Sequence, residues 1–554
     1  MSKFRSTRIS LLVISFMVGL TVAGCRSIPP QQGGTTDVKI YSPSTVPELT
    51  STPRPSSLPT SPPAERATAT QLVSTSTGLT KEQAKETQIR TVQTNSPTEQ
   101  ALAAQFPPTP TEQPLPSSNQ MGYIPPLPVW GIEMNYVDSN GLNFVAQSGA
   151  FWVRRNGLIW SEVEPEEGMR EWQAAANLEN ELKSVSAEGK QVILVVRSTP
   201  DWAQSLPDSF CSPPNANSLE AFASFLYDAV RRYSLPPYNV QYWEIGNEPD
   251  ISASKVLSDA PFGCWGAEGD PYYGGQYYAE ILKSVYPQIK SANPQSQVLV
   301  GGLLLDCDPV NSPETEPGSG KQKDCTSSRY LEGILENGGG AYFDGISFHA
   351  YDYFAGNIGE YSNTNWNSAW DSTGPVSIAK ANFIRGILNL YGISGKYLLN
   401  TELALLCGRD GSEPVCQSDG FNLTKAYYLA QSYTTAIAEH LQANIWYSLT
   451  GWRGSGLLDS SLQPNQAFMA LQTSANILEG VEYIGPITAY PGVRGYAFVQ
   501  DGVPVWVLWS LDGSNHVVQL DQVPSSVTGV FGEMMGTSQN LTITLAPVYI
   551  KFGK

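Results

Sequence analysis

Between about residue 124 and residue 480 the sequence alternates short apolar runs with amphipathic stretches, eight times over. The runs cover 129–133, 151–155, 191–197, 240–248, 297–303, 343–349, 397–402 and 444–449. Each is rich in Val, Ile, Leu or aromatics, as expected of strands buried on both faces. Helical spacing fills the gaps. Leu219, Phe222, Leu226, Val230 and Tyr233 recur near a 3.6 period, with Asn217 and Glu220 at capping-box spacing. Tyr277, Ile281, Leu282, Val285 and Ile289 do the same, and a last helix is expected over 465–478. Strands that alternate with helices demand parallel pairing, because a parallel return needs a crossover. Eight such units predict an α/β fold, a (β/α)8 TIM barrel at 123–480. A doubly wound open sheet would carry a Gly-rich phosphate loop after the first strand, and Trp130-Gly131-Ile132-Glu133-Met134 has none. After Gly480 the period shortens to two. Runs 496–500, 503–510, 516–520 and 540–552 read as strands, with Asp501-Gly502 as a hairpin turn. This predicts a small all-β sandwich at 481–554, packed on the barrel as a structural cap.

The chain ahead of the barrel is of another kind. Lys3, Arg5 and Arg8 precede an apolar run over 11–20 that is too short to span a bilayer and has the layout of a secretory signal. The run ends Val22-Ala23-Gly24-Cys25, which resembles the bacterial lipoprotein box. That resemblance implies a signal peptide at 1–24 and acylation of Cys25. Several acyl chains on one residue give a stable anchor. The expected location is the extracellular face of the cell membrane or the cell envelope. Residues 25–122 are dominated by Pro, Ser, Thr and Gln and cannot bury enough apolar surface to offset their ordering entropy. They read as a disordered stalk with a reach of roughly 50–60 Å.

The net charge of −18 argues against a nucleic-acid partner, which would need a basic stripe. The expectation is a monomer. Beyond Cys25 six cysteines remain, an even number that suits an oxidising compartment. Proximity favours Cys307–Cys325 and Cys407–Cys416, which leaves Cys211–Cys264. All six follow predicted strands, on the side where barrels keep their active sites, so the bridges would brace loops around a cleft. There is no CxxC spacing, and His349, His440 and His516 are the three histidines, so neither a metal nor an organic cofactor is expected.

Two predicted strands end in a carboxylate. One reads Tyr242-Trp243-Glu244-Ile245-Gly246-Asn247-Glu248-Pro249, the other Tyr397-Leu398-Leu399-Asn400-Thr401-Glu402. Two carboxylates at strand tips can hydrolyse a glycoside: one stays protonated and donates to the leaving oxygen, the other stays ionised and attacks the anomeric carbon. Environment must push their pKa values apart.

Together these motifs resemble clan A of the glycoside hydrolases, nearest to families 39, 5 and 42. The likeness covers about 126–480 and, more loosely, the C-terminal sandwich. It implies a retaining glycosidase acting on β-linked oligo- or polysaccharides, with Glu248 as acid/base, Glu402 as nucleophile and Asn247 on the sugar 2-hydroxyl. Val153-Arg154 and the block Trp160-Ser161-Glu162-Val163-Glu164-Pro165 look like the strand 2 region, so that Arg154 would steady the nucleophile. Thr199-Pro200-Asp201-Trp202 resembles the end of strand 3 and places Trp202 at the substrate. Ser347-Phe348-His349-Ala350-Tyr351 resembles the His-x-Tyr of strand 6, with Tyr351 on the nucleophile and His349 on substrate or carboxylates. Trp446 matches the sugar platform of strand 8. Trp265, Trp366 and Trp370 are further candidate platforms. The alternatives are a transglycosylase, which shares the first chemical step, and a non-catalytic sugar-binding surface lipoprotein.

Overall fold

The computed structural model describes residues 127–135, 137–310 and 324–553. The signal peptide, Cys25 and the stalk expected at 25–122 lie outside them. Among the described residues no helix is long and apolar enough to cross a membrane.

Eight parallel strands close into a barrel. They are β1 (Trp130–Glu133), β2 (Trp152–Ile159), β3 (Gln191–Arg197), β4 (Tyr242–Asn247), β5 (Gln297–Leu303), β6 (Gly345–Phe354), β9 (Tyr397–Leu406) and β10 (Ala443–Trp446). Each pairs with the next in that order, and β10 returns to β1 through Trp130↔Asn444. Every residue of β1, β4, β9 and β10 is buried, because helices cover the outside and side chains fill the inside. Between β6 and β9 lie two short antiparallel strands, β7 (Tyr361–Asn363) and β8 (Ser368–Ala369).

Three barrel strands run past their expected ends, β2 to Ile159 among them. β6 continues to Phe354 and β9 to Leu406, and they stay paired through Tyr353↔Leu406. β6 also pairs with β7 through Tyr353↔Ser362. Their backbone groups therefore keep partners above the barrel rim. The helix over Leu219–Tyr233 forms as its spacing predicts, but without the capping box. A 3-10 turn, Ala216–Ser218, precedes it, and Asn215 accepts from the Asn217 N–H instead. The last helix, Gln466–Leu478, starts where the Asn465 side chain accepts from Ala467 and Phe468 N–H.

The C-terminal segment adds β11 (Glu482–Ile487), β12 (Val493–Gln500), β13 (Val503–Ser510), β14 (His516–Gln519), β15 (Ser526–Gly529), β16 (Met534–Met535), β17 (Asn540–Ile543) and β18 (Val548–Lys551). The run 540–552 is thus two strands. Six strands form one sheet, in the order β11-β12-β13-β18-β15-β16, and β14 pairs with β17 in a second. Asp501 and Gly502 both take positive φ, 51° and 79°, as a tight hairpin between β12 and β13 requires. Alternation sorts the side chains of β13. Val505, Val507 and Trp509 join the barrel's core, whereas Leu508 joins Val518, Leu541, Ile543 and Ile550 between the two sheets. A strand buried on both faces explains the unbroken apolar run in the sequence. The Ser474 and Tyr549 hydroxyls bond across the same junction.

The disulfides pair as proximity favoured: Cys211–Cys264, Cys307–Cys325 and Cys407–Cys416, with Cα atoms 5.5, 5.3 and 5.5 Å apart.

Candidate active site

Glu248 follows β4 directly. Its φ is 50°, a conformation that non-glycine residues adopt seldom and that concentrates at functional sites. Its N–H donates to Gly302 O at 3.0 Å. Two residues on, Asp250 ties the end of β4 to the loop after β5, accepting from Leu304 N at 2.9 Å and Leu305 N at 2.8 Å. Burial lifts the Asp250 carboxyl to about 6. Lys380 reaches in from the helix Val376–Leu390 and donates to Leu304 O and His349 O at 2.6 and 2.8 Å. The tips of β4, β5 and β6 are therefore held in register by buried polar contacts.

Arg154 organises the barrel floor. Fully buried, it donates through Nη1 to Glu402 Oε1 at 2.6 Å and to Glu133 Oε2 at 2.5 Å. Through Nη2 it donates to Glu244 Oε1 at 2.5 Å and Asn247 Oδ1 at 2.6 Å. One guanidinium faces three carboxylates. Burial, reinforced by the neighbouring Glu402 and Glu244 charges, lifts Glu133 to about 8 against the pull of Arg154. The shift favours the protonated form of Glu133, which relieves the excess of negative charge.

The two strand-tip glutamates meet at His349. His349 Nδ1 lies 2.8 Å from Glu248 Oε1 and 3.5 Å from Glu402 Oε2. Oxygens of Glu248 and Glu402 and a ring nitrogen of His349 all fall within 4.8 Å of one another. Three donors so close could also meet a cation, which the sequence reading did not foresee. The Tyr351 hydroxyl donates to Glu402 Oε2. Burial, with Arg154 and Lys380 nearby, keeps the His349 imidazole neutral by pushing its pKa well below the usual range. Glu248 is pushed well above the usual carboxylate range, first by burial and then by the negative charge of Glu402. Burial raises Glu402 as well, but Arg154 and Tyr351 pull it back. The pair is split in one direction: Glu248 keeps its proton more readily than Glu402. Asn247 is positioned by Arg154, which bonds its amide oxygen, and its NH2 group supplies the donors.

Other expected site residues stand elsewhere. Trp446 is wholly buried; its ring centroid lies 6.2 Å from that of Tyr428, and its indole N–H donates to Ser455 O at 2.8 Å. It is barrel core and presents no face to a sugar, because β10 points it into the interior. Trp366 is likewise buried, its N–H donating to Leu305 O. Trp202 is half-buried, edge-on to Trp160, with its N–H on Glu164 O. Among the described residues no hydrogen bond links Trp202 or Trp446 to Glu248 or Glu402. The Glu164 of the strand 2 block caps its own loop, accepting from Trp160 Nε1 and Gly168 N at 2.8 Å each.

Sequence reasoning missed Glu133, Glu244 and Tyr447. Glu133 is the last residue of β1, whereas Glu248 lies one residue past β4 and Glu402 lies within β9, and Glu244 is a charge inside an apolar strand, which needs a buried partner. Tyr447 follows β10, 6.3 Å ring to ring from Tyr351, and carries no motif.

No protein-family model matches the chain, and neither does any curated protein. Solved structures do. A family 39 glycoside hydrolase from the gut symbiont Bacteroides cellulosilyticus WH2 is 18% identical, with a TM-score of 0.55 over 76% of this chain and 80% of that one. A GH30 endoxylanase from Clostridium papyrosolvens C71 is 13% identical, with a TM-score of 0.50 over 79% and 98%. A conserved exported protein from Bacteroides fragilis is 14% identical, with a TM-score of 0.52 over 76% and 98%. What this chain shares with all three is the fold.

Proposed function

We propose that the protein is a retaining glycoside hydrolase that cleaves O-glycosidic, β-linked bonds in oligo- or polysaccharides. One observation carries the reading: one oxygen of Glu248 and one oxygen of Glu402 lie within 4.8 Å of each other. Retaining enzymes hold their carboxyl groups about 5–5.5 Å apart, whereas an inverting pair needs about 6.5–9.5 Å to admit water. The split in proton affinity supports the assignment of roles. Glu402, held by Arg154 and Tyr351, attacks the anomeric carbon. Glu248 gives its proton to the leaving oxygen, and a covalent glycosyl-enzyme forms. Glu248 then takes a proton from water, which releases the sugar with retained configuration. Asn247 is placed to donate to the sugar 2-hydroxyl. Two of the fold relatives are glycoside hydrolases by name, which agrees with this reading. Three disulfides suit an oxidising location, and acylation of Cys25 would hold the enzyme at the outer face of a membrane.

The test is hydrolysis of aryl β-glycosides and of glucan, mannan, xylan, galactan and arabinan. The parent is run beside Glu248→Gln and Glu402→Gln, and product anomers are followed by NMR. Hydrolysis with retention, abolished by Glu402→Gln and strongly reduced by Glu248→Gln, is the expected result. Turnover that survives Glu402→Gln would remove the nucleophile assignment. Sugar binding without turnover would make this a binding protein, and transfer to added sugars a transglycosylase.

A further inference from the structure

The barrel rim carries an aromatic surface that the chemistry above does not use. His349, Tyr351 and Tyr353 alternate along β6 and share one face. His349 and Tyr351 reach the two glutamates, so that face looks onto the cleft. Tyr353 lies four residues beyond His349, roughly 13 Å further out along the overrun strand. It is 37% exposed. The Arg453 guanidinium stacks over its ring at 5.4 Å and over that of Trp452 at 5.3 Å, and Trp452 is itself 42% exposed. Tyr353 and Trp452 are therefore joined by one cation, with Tyr353 on the strand face that carries His349 and Tyr351.

The pair is built rather than incidental. Arg453 donates through Nη2 to Gly408 O, and its own carbonyl accepts from Cys407 N at 3.0 Å. Gly411, at φ 88°, packs so closely that a Cβ there would stand 2.8 Å from the Arg453 Cα. All three contacts come from the loop closed by Cys407–Cys416. The disulfide thus fixes the segment that carries Trp452. Two large, exposed, rigid rings, one of them further out on the strand that carries His349 and Tyr351, offer a carbohydrate chain apolar faces for pyranose rings at low entropic cost.

We propose that Tyr353 and Trp452 form a remote sugar subsite that holds a pyranose unit of an oligomeric substrate, away from the bond being cut. The inference rests on the glycosidase reading and adds that the natural substrate is a chain rather than a disaccharide.

The experiment compares the full-length protein with Trp452→Ala and Tyr353→Ala. It measures kcat/KM on an aryl β-glycoside and on oligosaccharides of increasing length, together with retardation in polysaccharide-containing native gels. For the longest oligosaccharides the variants should lose about tenfold more kcat/KM than for the aryl glycoside, about 1.4 kcal/mol. Gel retardation should fall in step. Equal losses at all lengths, or none, would overturn the subsite and leave the hydrolase reading standing. If the parent turns over nothing, the hydrolase reading fails and the gel decides. Retardation that Trp452→Ala weakens keeps the subsite; retardation that it leaves alone, or its absence in the parent, removes it.

Discussion

Arg154 Nη1 donates to Glu402 Oε1 across 2.6 Å and so joins β2 to β9, 248 residues further on. The same group faces Glu133 and Glu244, and none of these side chains is exposed beyond a few per cent. Removing one partner of a buried charge set leaves the others uncompensated, at a cost of about 3–5 kcal/mol. Arg154→Met should therefore lower stability by about that amount in urea unfolding. Arg154→Lys should recover part of the stability but not the four-way geometry, because an ammonium cannot span the planar fork. Recovery of activity as well as stability by lysine would show that charge alone suffices.

The pH profile of kcat/KM should be bell-shaped. The attack needs Glu402 ionised, so the rate falls on the acid side as that group gains its proton. It also needs Glu248 protonated, and burial with the Glu402 charge raises that pKa well above the usual range. The rate is then held through neutral pH and lost as pH climbs past the raised value. Glu248→Gln should abolish the alkaline limb and lower kcat by about 10²–10⁴ on a poor leaving group. The loss should be smaller on a dinitrophenyl glycoside, whose leaving group needs no proton. An alkaline limb that persists in the variant would assign it to another group.

Glu133 gives a stability signature of its own. Its carboxyl rises from 4.5 in an exposed chain to about 8 in the fold. A group raised on folding contributes stability that is full below its unfolded pKa and is lost as pH climbs through the folded one. Between about 4.5 and about 8 the folded state binds the extra proton, so the melting temperature should decline across that window. Glu133→Gln, neutral and nearly isosteric, should flatten that decline. Thermal scans of both proteins across the window measure it, and parallel curves would show that Glu133 is charged throughout.

Gly302 sets the position of His349. A Cβ on Gly302 would stand 2.1 Å from His349 Nε2. Gly302→Ala should displace the imidazole from Glu248, cost about 1–3 kcal/mol of overpacking and reduce kcat. Gly386→Ala is the control. Nothing lies within 4 Å of the Cβ it would add, and it sits in the helix Val376–Leu390, where alanine is favoured by about 0.5–1 kcal/mol. If both variants keep full activity, the glycine at 302 is not there for the histidine.

The barrel was legible because its strands are apolar on both faces and its helices on one, so that each period names its element. The strand-tip glutamates were legible because Pro249 stops β4 just after Glu248 and because Asn247, His349 and Tyr351 come with their neighbours in order. Trp446 was not, since the sequence of a strand says which residues alternate but not which way the first one points. Glu133 and Glu244 were passed over for a related reason: each is a carboxylate that only the meeting of four distant strands on Arg154 explains. The long reach of β6 was hidden as well, because its outer half is kept by pairing with β7 and β9 rather than by an apolar run.

β13 belongs to two interiors at once, with Val505, Val507 and Trp509 on one side and Leu508 on the other. Neither interior is complete without it. A chain cut near Gly480 would leave a barrel with an open apolar wall and a set of sheets with one layer facing water. Barrel and sheets should accordingly melt in a single cooperative transition, and gene fragments that separate them should yield aggregate rather than two modules.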